Sequence, residues 1–189
     1  MGKVFEGIDE RLASFLEAQP VFFVSTAPLA ADGLVNCSPK RNRCEFAVLS
    51  ADQVGYLDQT GSGVETIAHL RENGRIVVMF CAFDGPPRIV RLHGRGHSVA
   101  AGTSGFDSLA PRFEGSGEAG VRAIVVVDVA RVSDSCGYGV PIMPFESHRP
   151  TMDQWSARKG RAGVLEYQAE KNRTSLDGLA ALAAPGAEE

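Results

Sequence analysis

The sequence predicts a mainly β protein, an antiparallel barrel or sandwich with one helix inserted midway and further helices towards the C-terminal end. Two observations carry this reading. About seven β-rich runs follow one another between clear turn signals. The connections between them are too short for the crossovers that a parallel sheet requires. A third observation marks the exception. Between Tyr56 and Phe80 the hydrophobic spacing switches from alternation to the helical interval and back.

Taken in order, residues 8–18 read as an amphipathic helix. Ile8, Leu12, Phe15 and Leu16 form one apolar stripe, with Asp9 and Glu10 near the start. Pro20 closes it. Residues 21–26 are a β-rich run. Ala31-Asp32-Gly33 signals a turn, and residues 34–38 complete a hairpin. Residues 38–43 form a short basic segment. Residues 46–49 and 54–57 flank another turn at Ser50-Ala51-Asp52. Val54, Tyr56 and Asp58 alternate with Gly55, Leu57 and Gln59, as in a half-buried strand.

The apolar run 76–83 ends at Asp84-Gly85-Pro86-Pro87, a strong turn. Along residues 88–99, Ile89, Arg91, His93 and Arg95 share one face. Gly94 and Gly96 there suggest a bulge or the close approach of another backbone. Residues 104–113 suit one or two helical turns, and Gly115-Ser116-Gly117 breaks the chain. Residues 121–132 are the longest strand. A glycine- and proline-rich loop follows at 135–141. Residues 152–159 and 161–171 read as helices around Gly160. Residues 1–182 then make one domain, and 183–189 a disordered tail.

The chain of 189 residues carries a net charge of -4, which argues against a broad nucleic-acid face. No apolar run approaches the roughly 20 residues of a membrane span, and no apolar leader opens the sequence. A cytoplasmic protein is expected. Cys37, Cys44, Cys81 and Cys136 form no Cys-x-x-Cys pair, so reduced thiols are expected. His93 and His97 share a strand face, but no carboxylate or cysteine completes a ligand set, and no metal site is expected.

The polar stretch before the inserted helix is the candidate functional loop. Gly61 and Gly63 bracket Ser62, and glycine there permits a left-handed turn or close approach to a ligand. Val64, Ile67, Ala68 and Arg71 then fall at helical intervals. Ser62 or Gly63 is the expected N-cap, and Asn73-Gly74 the expected stop. Thr60, Ser62 and the two glycines offer hydroxyls and N–H groups to an anion. The same residues equally suit a capped helix without a ligand, and Glu65 can itself occupy the positive end of the helix.

Four pieces stand in a distinctive order: Phe22-Phe23-Val24-Ser25-Thr26-Ala27; Gly33-Leu34-Val35-Asn36-Cys37-Ser38-Pro39-Lys40; Tyr56-Leu57-Asp58-Gln59-Thr60-Gly61-Ser62-Gly63 with its helix; and Arg88-Ile89-Val90-Arg91-Leu92-His93-Gly94-Arg95-Gly96. In order and separation this run resembles the FMN-binding split-barrel family that includes pyridoxamine 5'-phosphate oxidase. A late Cys136-Gly137-Tyr138-Gly139-Val140-Pro141 loop and Glu170-Lys171-Asn172 extend the resemblance over nearly the whole chain.

The resemblance implies an antiparallel split β-barrel and a homodimer with two flavins in clefts at its interface. The implied cofactor is FMN, with deazaflavin or haem as alternatives, and the implied activity is hydride transfer with a small-molecule substrate. It places Thr60, Ser62, Gly63 and Thr66 at the phosphate. The family's loop cations are replaced here by Gly63, Val64 and Glu65, so Arg88 or Arg91 is the expected counter-charge. Both arginines equally suit a solvated strand face. Ser38, Pro39 and Lys40 are expected along the ring, with Lys40 or Arg41 at its pyrimidine edge. Cys136 and Tyr138 are placed to reach the ring from the partner subunit, and equally suit an ordinary buried thiol and an ordinary loop anchor. Trp155 and Arg158 do not reproduce the substrate-gripping ending of the pyridoxamine-phosphate-oxidising members, so that reaction is not assigned. A flavin, deazaflavin or haem binder without turnover is the alternative function.

Overall fold

A computed structural model describes residues 2–182. Eight strands make one sheet: β1 (Val4–Phe5), β2 (Val21–Thr26), β3 (Asn36–Arg41), β4 (Phe46–Ser50), β5 (Gln53–Gln59), β6 (Arg75–Cys81), β7 (Arg88–Ala100) and β8 (Val121–Cys136). Their order is β3-β2-β6-β7-β8-β5-β4, with β1 added to β8, and the pairings are antiparallel. The helices are α1 (Glu10–Ala18), α2 (Glu65–Asn73), α3 (Ser104–Leu109) and α4 (Thr151–Lys171). Among the described residues no helix is long and apolar enough to cross a membrane.

The sheet is strongly curled. Phe22 of β2 and Phe46 of β4 are five strand positions apart in the sheet order. In a flat sheet that separation is about 24 Å. Their ring centroids lie 5.5 Å apart. Phe80 and Tyr56 join them, with centroids 5.4 Å from Phe22 in each case. Aromatic burial therefore draws opposite strands together into a half-barrel. Helix α1 seals this core with Leu12 and Leu16, both buried. Asp9 starts the helix by accepting a 2.7 Å hydrogen bond from the Leu12 N–H.

The long β7–β8 ladder shifts register between His93 and Gly94. A Cβ on Gly94 would collide with the Asp128 carbonyl oxygen, so the expected close approach of backbone is present. A Cβ on Gly96 would press on Leu70 of α2 and on the Val126 carbonyl, so glycine there lets that helix lie close against the sheet.

Several expectations need correction. Strand β3 starts at Asn36 and runs through the basic segment to Arg41, because the whole stretch pairs with β2. Strand β5 is buried on both faces. Val54 and Tyr56 belong to the aromatic core, while Leu57 packs in a second cluster with Phe106 of α3 and Phe113. Strand β8 continues past residue 132 to Cys136, because Val4 pairs with Ser133 and Arg88 with Cys136. Helix α2 is capped at Val64 without a side-chain bond, so neither Ser62 nor Gly63 is the N-cap. Its C-cap is Gly74 at φ 70°, as the Asn-Gly pair foretold.

In α4 the chain breaks at Gly160, with φ 65° and ψ 172°, so two helices meet there as expected. Residues 183–189, expected as a tail, lie outside the described residues.

Candidate active site

A cavity of about 970 Å³ opens between β3, the loop after β5, the start of α2 and the α4 region. Ser38, Pro39 and Lys40 line it from β3, and Thr60, Ser62, Gly63 and Thr66 from the loop and α2. Seven of the sequence-derived site residues thus meet in one place. Arg88, Arg91, Cys136 and Tyr138 do not line it. Arg88 bonds Asp134 at 3.2 Å, and its guanidinium lies 4.9 Å from the Phe15 ring centroid. Arg91 donates to the Ser135 hydroxyl at 3.0 Å. Cys136 is exposed beside Arg88, and Tyr138 is 84% exposed.

The buried anchor of the site is Asp58. One carboxylate oxygen takes Arg122 Nε at 2.7 Å and the other takes Lys40 Nζ at 2.8 Å. Burial alone would raise its pKa, but Arg122 and then Lys40 outweigh that and hold it down, from 3.8 to about 2. Arg122 reaches this carboxylate because the β5–β8 register shifts between Asp58 and Gln59, leaving Arg122 as the extra residue. The other ends of its guanidinium donate to Asn172 Oδ1 at 2.9 Å and to the Gly63 carbonyl at 3.0 Å.

The loop is held from its carbonyl side. Asn172 donates to the Gly61 carbonyl at 3.0 Å, and Gln168 to the Thr60 hydroxyl at 2.7 Å. Asn172 of the late Glu170-Lys171-Asn172 motif is therefore a loop clamp. Neither Gly61 nor Gly63 lies at positive φ, so the expected left-handed turn is absent. A Cβ on Gly63 would meet the flexible end of the Glu65 side chain, which can shift, so close packing does not require glycine there.

The hydroxyls at the β3 side are fixed by one amide. Asn36 donates to Thr66 at 3.0 Å and to Thr26 at 3.1 Å, and accepts from Ser38 at 2.8 Å. The fully buried His69 backs the network through Nδ1, 2.9 Å from the Thr26 hydroxyl.

The remaining wall comes from distant sequence. Trp155 and Tyr167 meet edge to face at 5.0 Å, and Lys159 lies 5.5 Å and 5.6 Å from the two ring centroids. Asp153 ties this wall to β3, taking Arg41 at 2.6 Å and Arg43 at 3.0 Å. Arg41 also pairs with Glu45 at 2.8 Å. His148 lines the same wall, and burial, then Arg41 and Arg43, push its pKa below 6.5. Among the described residues no group of three or more His, Cys, Asp or Glu could hold a metal ion.

The sequence reading missed Asp58, Arg122, Trp155, Tyr167 and His148. The first two left a signal: Asp58 is the one charged residue of β5, and Arg122 stands at the head of the apolar run of β8. The others left none, since nothing local connects them to the loop.

Residues 8–136, well over half of the chain, match the family described as pyridoxamine 5'-phosphate oxidase. The chain belongs to this family. A pyridoxamine 5'-phosphate oxidase family protein of Aspergillus flavus, ustO, is 39% identical over 192 residues, covering 94% of this chain and 77% of the relative. Among solved structures, a tagged HupZ variant from Group A Streptococcus superposes with a TM-score of 0.51 at 20% identity. The match covers 68% of this chain and 99% of HupZ. A FAD-binding protein of Mesorhizobium loti gives 0.48 at 16% identity, over 71% and 96% of the two chains. The curled antiparallel sheet with its helices is the split-barrel fold of the family. The family-matched segment holds the loop, β3 and the Asp58–Arg122 pair, while Trp155, Tyr167 and the Asn172 clamp lie beyond it.

Proposed function

We propose that this member of the pyridoxamine 5'-phosphate oxidase family is an FMN-dependent oxidoreductase, working as a homodimer in the cytoplasm on a small-molecule substrate. The observation that carries the reading is the convergence of β3, the Thr60–Gly63 loop and Thr66 on one cavity of about 970 Å³. That volume suits a cofactor site. The residues fit a flavin in kind: apolar and aromatic walls for the ring, and fixed hydroxyls at Ser38 and Thr66 for polar edges. When bound, the flavin supplies the two-electron chemistry.

The chain's own residues orient and tune. Asp58 holds the Lys40 ammonium in place at 2.8 Å, and with a flavin bound Lys40 would favour negative charge on its polar edge. Trp155 and Tyr167 shape the open face and exclude water. His148, its pKa lowered by burial and then by Arg41 and Arg43, lines the cavity as a group that can accept a proton. Arg88, Arg91, Cys136 and Tyr138 lie away from this chain's own cavity, and we assign them to the cleft of the second subunit. The exposed apolar residues Tyr138, Ile142 and Met143 on the segment after β8 support such a covered surface.

The test is the colour and chemistry of purified protein. A yellow protein with a flavin spectrum, whose flavin is reduced anaerobically by NADH or NADPH, supports the reading. A bound flavin that no donor reduces leaves a binding protein instead. A deazaflavin spectrum, a Soret band or a colourless protein that takes up no FMN overturns the FMN assignment.

A further inference from the structure

We propose that Glu65 sets cofactor specificity at the loop end of the cavity, opposing a doubly charged phosphate there, so that the chain binds FMN little more tightly than riboflavin. The inference rests on the flavin reading above and concerns which form of flavin the site prefers.

The loop end already carries its negative charge. Glu65 is the acidic residue in the first turn of α2 and lines the cavity with Ser62, Gly63 and Thr66. Its carboxylate reaches back over Gly63, into the space that a Cβ would take there. The positive end of the helix is thus counter-charged by its own chain. A phosphate bringing about two negative charges to this end of the cavity would face a like charge.

Three of the four Lys and Arg side chains that line the cavity are committed elsewhere. Lys40 and Arg122 both hold the Asp58 carboxylate, and Arg122 spends its remaining donors on Asn172 and the Gly63 carbonyl. Arg41 is paired with Glu45 and Asp153. Arg149 also lines the cavity and makes no ion pair among the described residues, but it is exposed to solvent, where its charge is screened. Hydroxyl and backbone groups remain at the loop, and these serve a ribityl hydroxyl as well as a phosphate oxygen.

The experiment titrates FMN and riboflavin, by quenching of flavin fluorescence, into the full-length protein and into Glu65→Gln. This substitution keeps the side chain's size and removes its charge. Wild type is expected to hold both ligands within about threefold of each other. Glu65→Gln is expected to tighten FMN roughly tenfold and to leave riboflavin within about twofold. The FMN gain should shrink as salt is raised. The proposal is overturned if wild type prefers FMN by two orders of magnitude. It is equally overturned if Glu65→Gln shifts both ligands together or weakens FMN. Binding of neither flavin to either protein overturns the flavin reading itself, and that outcome is distinct from the first two.

Discussion

Arg122 and Asp58 meet at 2.7 Å with side chains 3% and 0% exposed, and the same carboxylate takes Lys40 at 2.8 Å on its other oxygen. Two cations of the site thus depend on one buried anion. Replacing Asp58 by Asn leaves both without their counter-charge. Breaking such a buried pair costs about 3–5 kcal/mol. Urea unfolding of Asp58→Asn should show a loss of that size, with the slope unchanged. A loss below about 1 kcal/mol would show that the pair is not held as described.

Acid sensitivity follows from the same carboxylate. Its pKa in the folded protein is lowered, from 3.8 to about 2. The stabilisation is therefore complete above the unfolded value and is lost as pH falls from about 4 through about 2. The drop is worth about 2 kcal/mol. Wild type should lose stability over this window more steeply than Asp58→Asn, which has no proton to bind at that position. Parallel pH profiles for the two proteins would contradict the assignment.

Gly94 offers a test of the fold away from the site. Its missing Cβ makes room for the Asp128 carbonyl at the β7–β8 bulge. Gly94→Ala should destabilise the protein by about 1–3 kcal/mol through overpacking. Gly61→Ala, where nothing lies within 4 Å of the added carbon, should stay within about 0.5 kcal/mol. Thermal melts of the two variants make the comparison. Equal effects would mean that the ladder is not packed as described.

Trp155 is the single tryptophan of the chain and lines the cavity. Its emission therefore reports occupancy without labels. Flavin bound within the cavity should quench most of it, and saturation should coincide with the flavin titration. Undiminished tryptophan emission at full flavin occupancy would place the ligand elsewhere.

The strands were legible because alternation and turn residues are local signals, and β2 (Val21–Thr26) shows them plainly. Ser38, Thr60 and Thr66 were legible through the order of motifs. Asp58 and Arg122 were not assigned because their contact depends on the β5–β8 register and its bulge, across 64 positions of sequence. The double burial of β5 escaped for a similar reason, since Phe106 and Phe113 arrive from a later segment to cover its second face. Trp155 and Tyr167 come together across the break at Gly160, a geometry that no local pattern encodes. Glu65 was visible as a competitor for the helix end. Its place over Gly63 depends on how the chain turns between the loop and α2, which residue order does not encode.

The contact between Phe22 and Phe46 also bears on how the chain reaches this structure. Strand β2 finds β6 with Phe22 opposite Phe80, and β5 finds β8 with Gln53 opposite Asp128. Each pairing closes a long loop before Phe22 can meet Phe80, Phe46 or Tyr56. The curl therefore assembles late, after distant strands have met, and refolding should take milliseconds to seconds rather than microseconds. Until then β2 and β6 expose their apolar faces and unpaired edges to other chains, so dilute conditions should raise the yield of refolded protein.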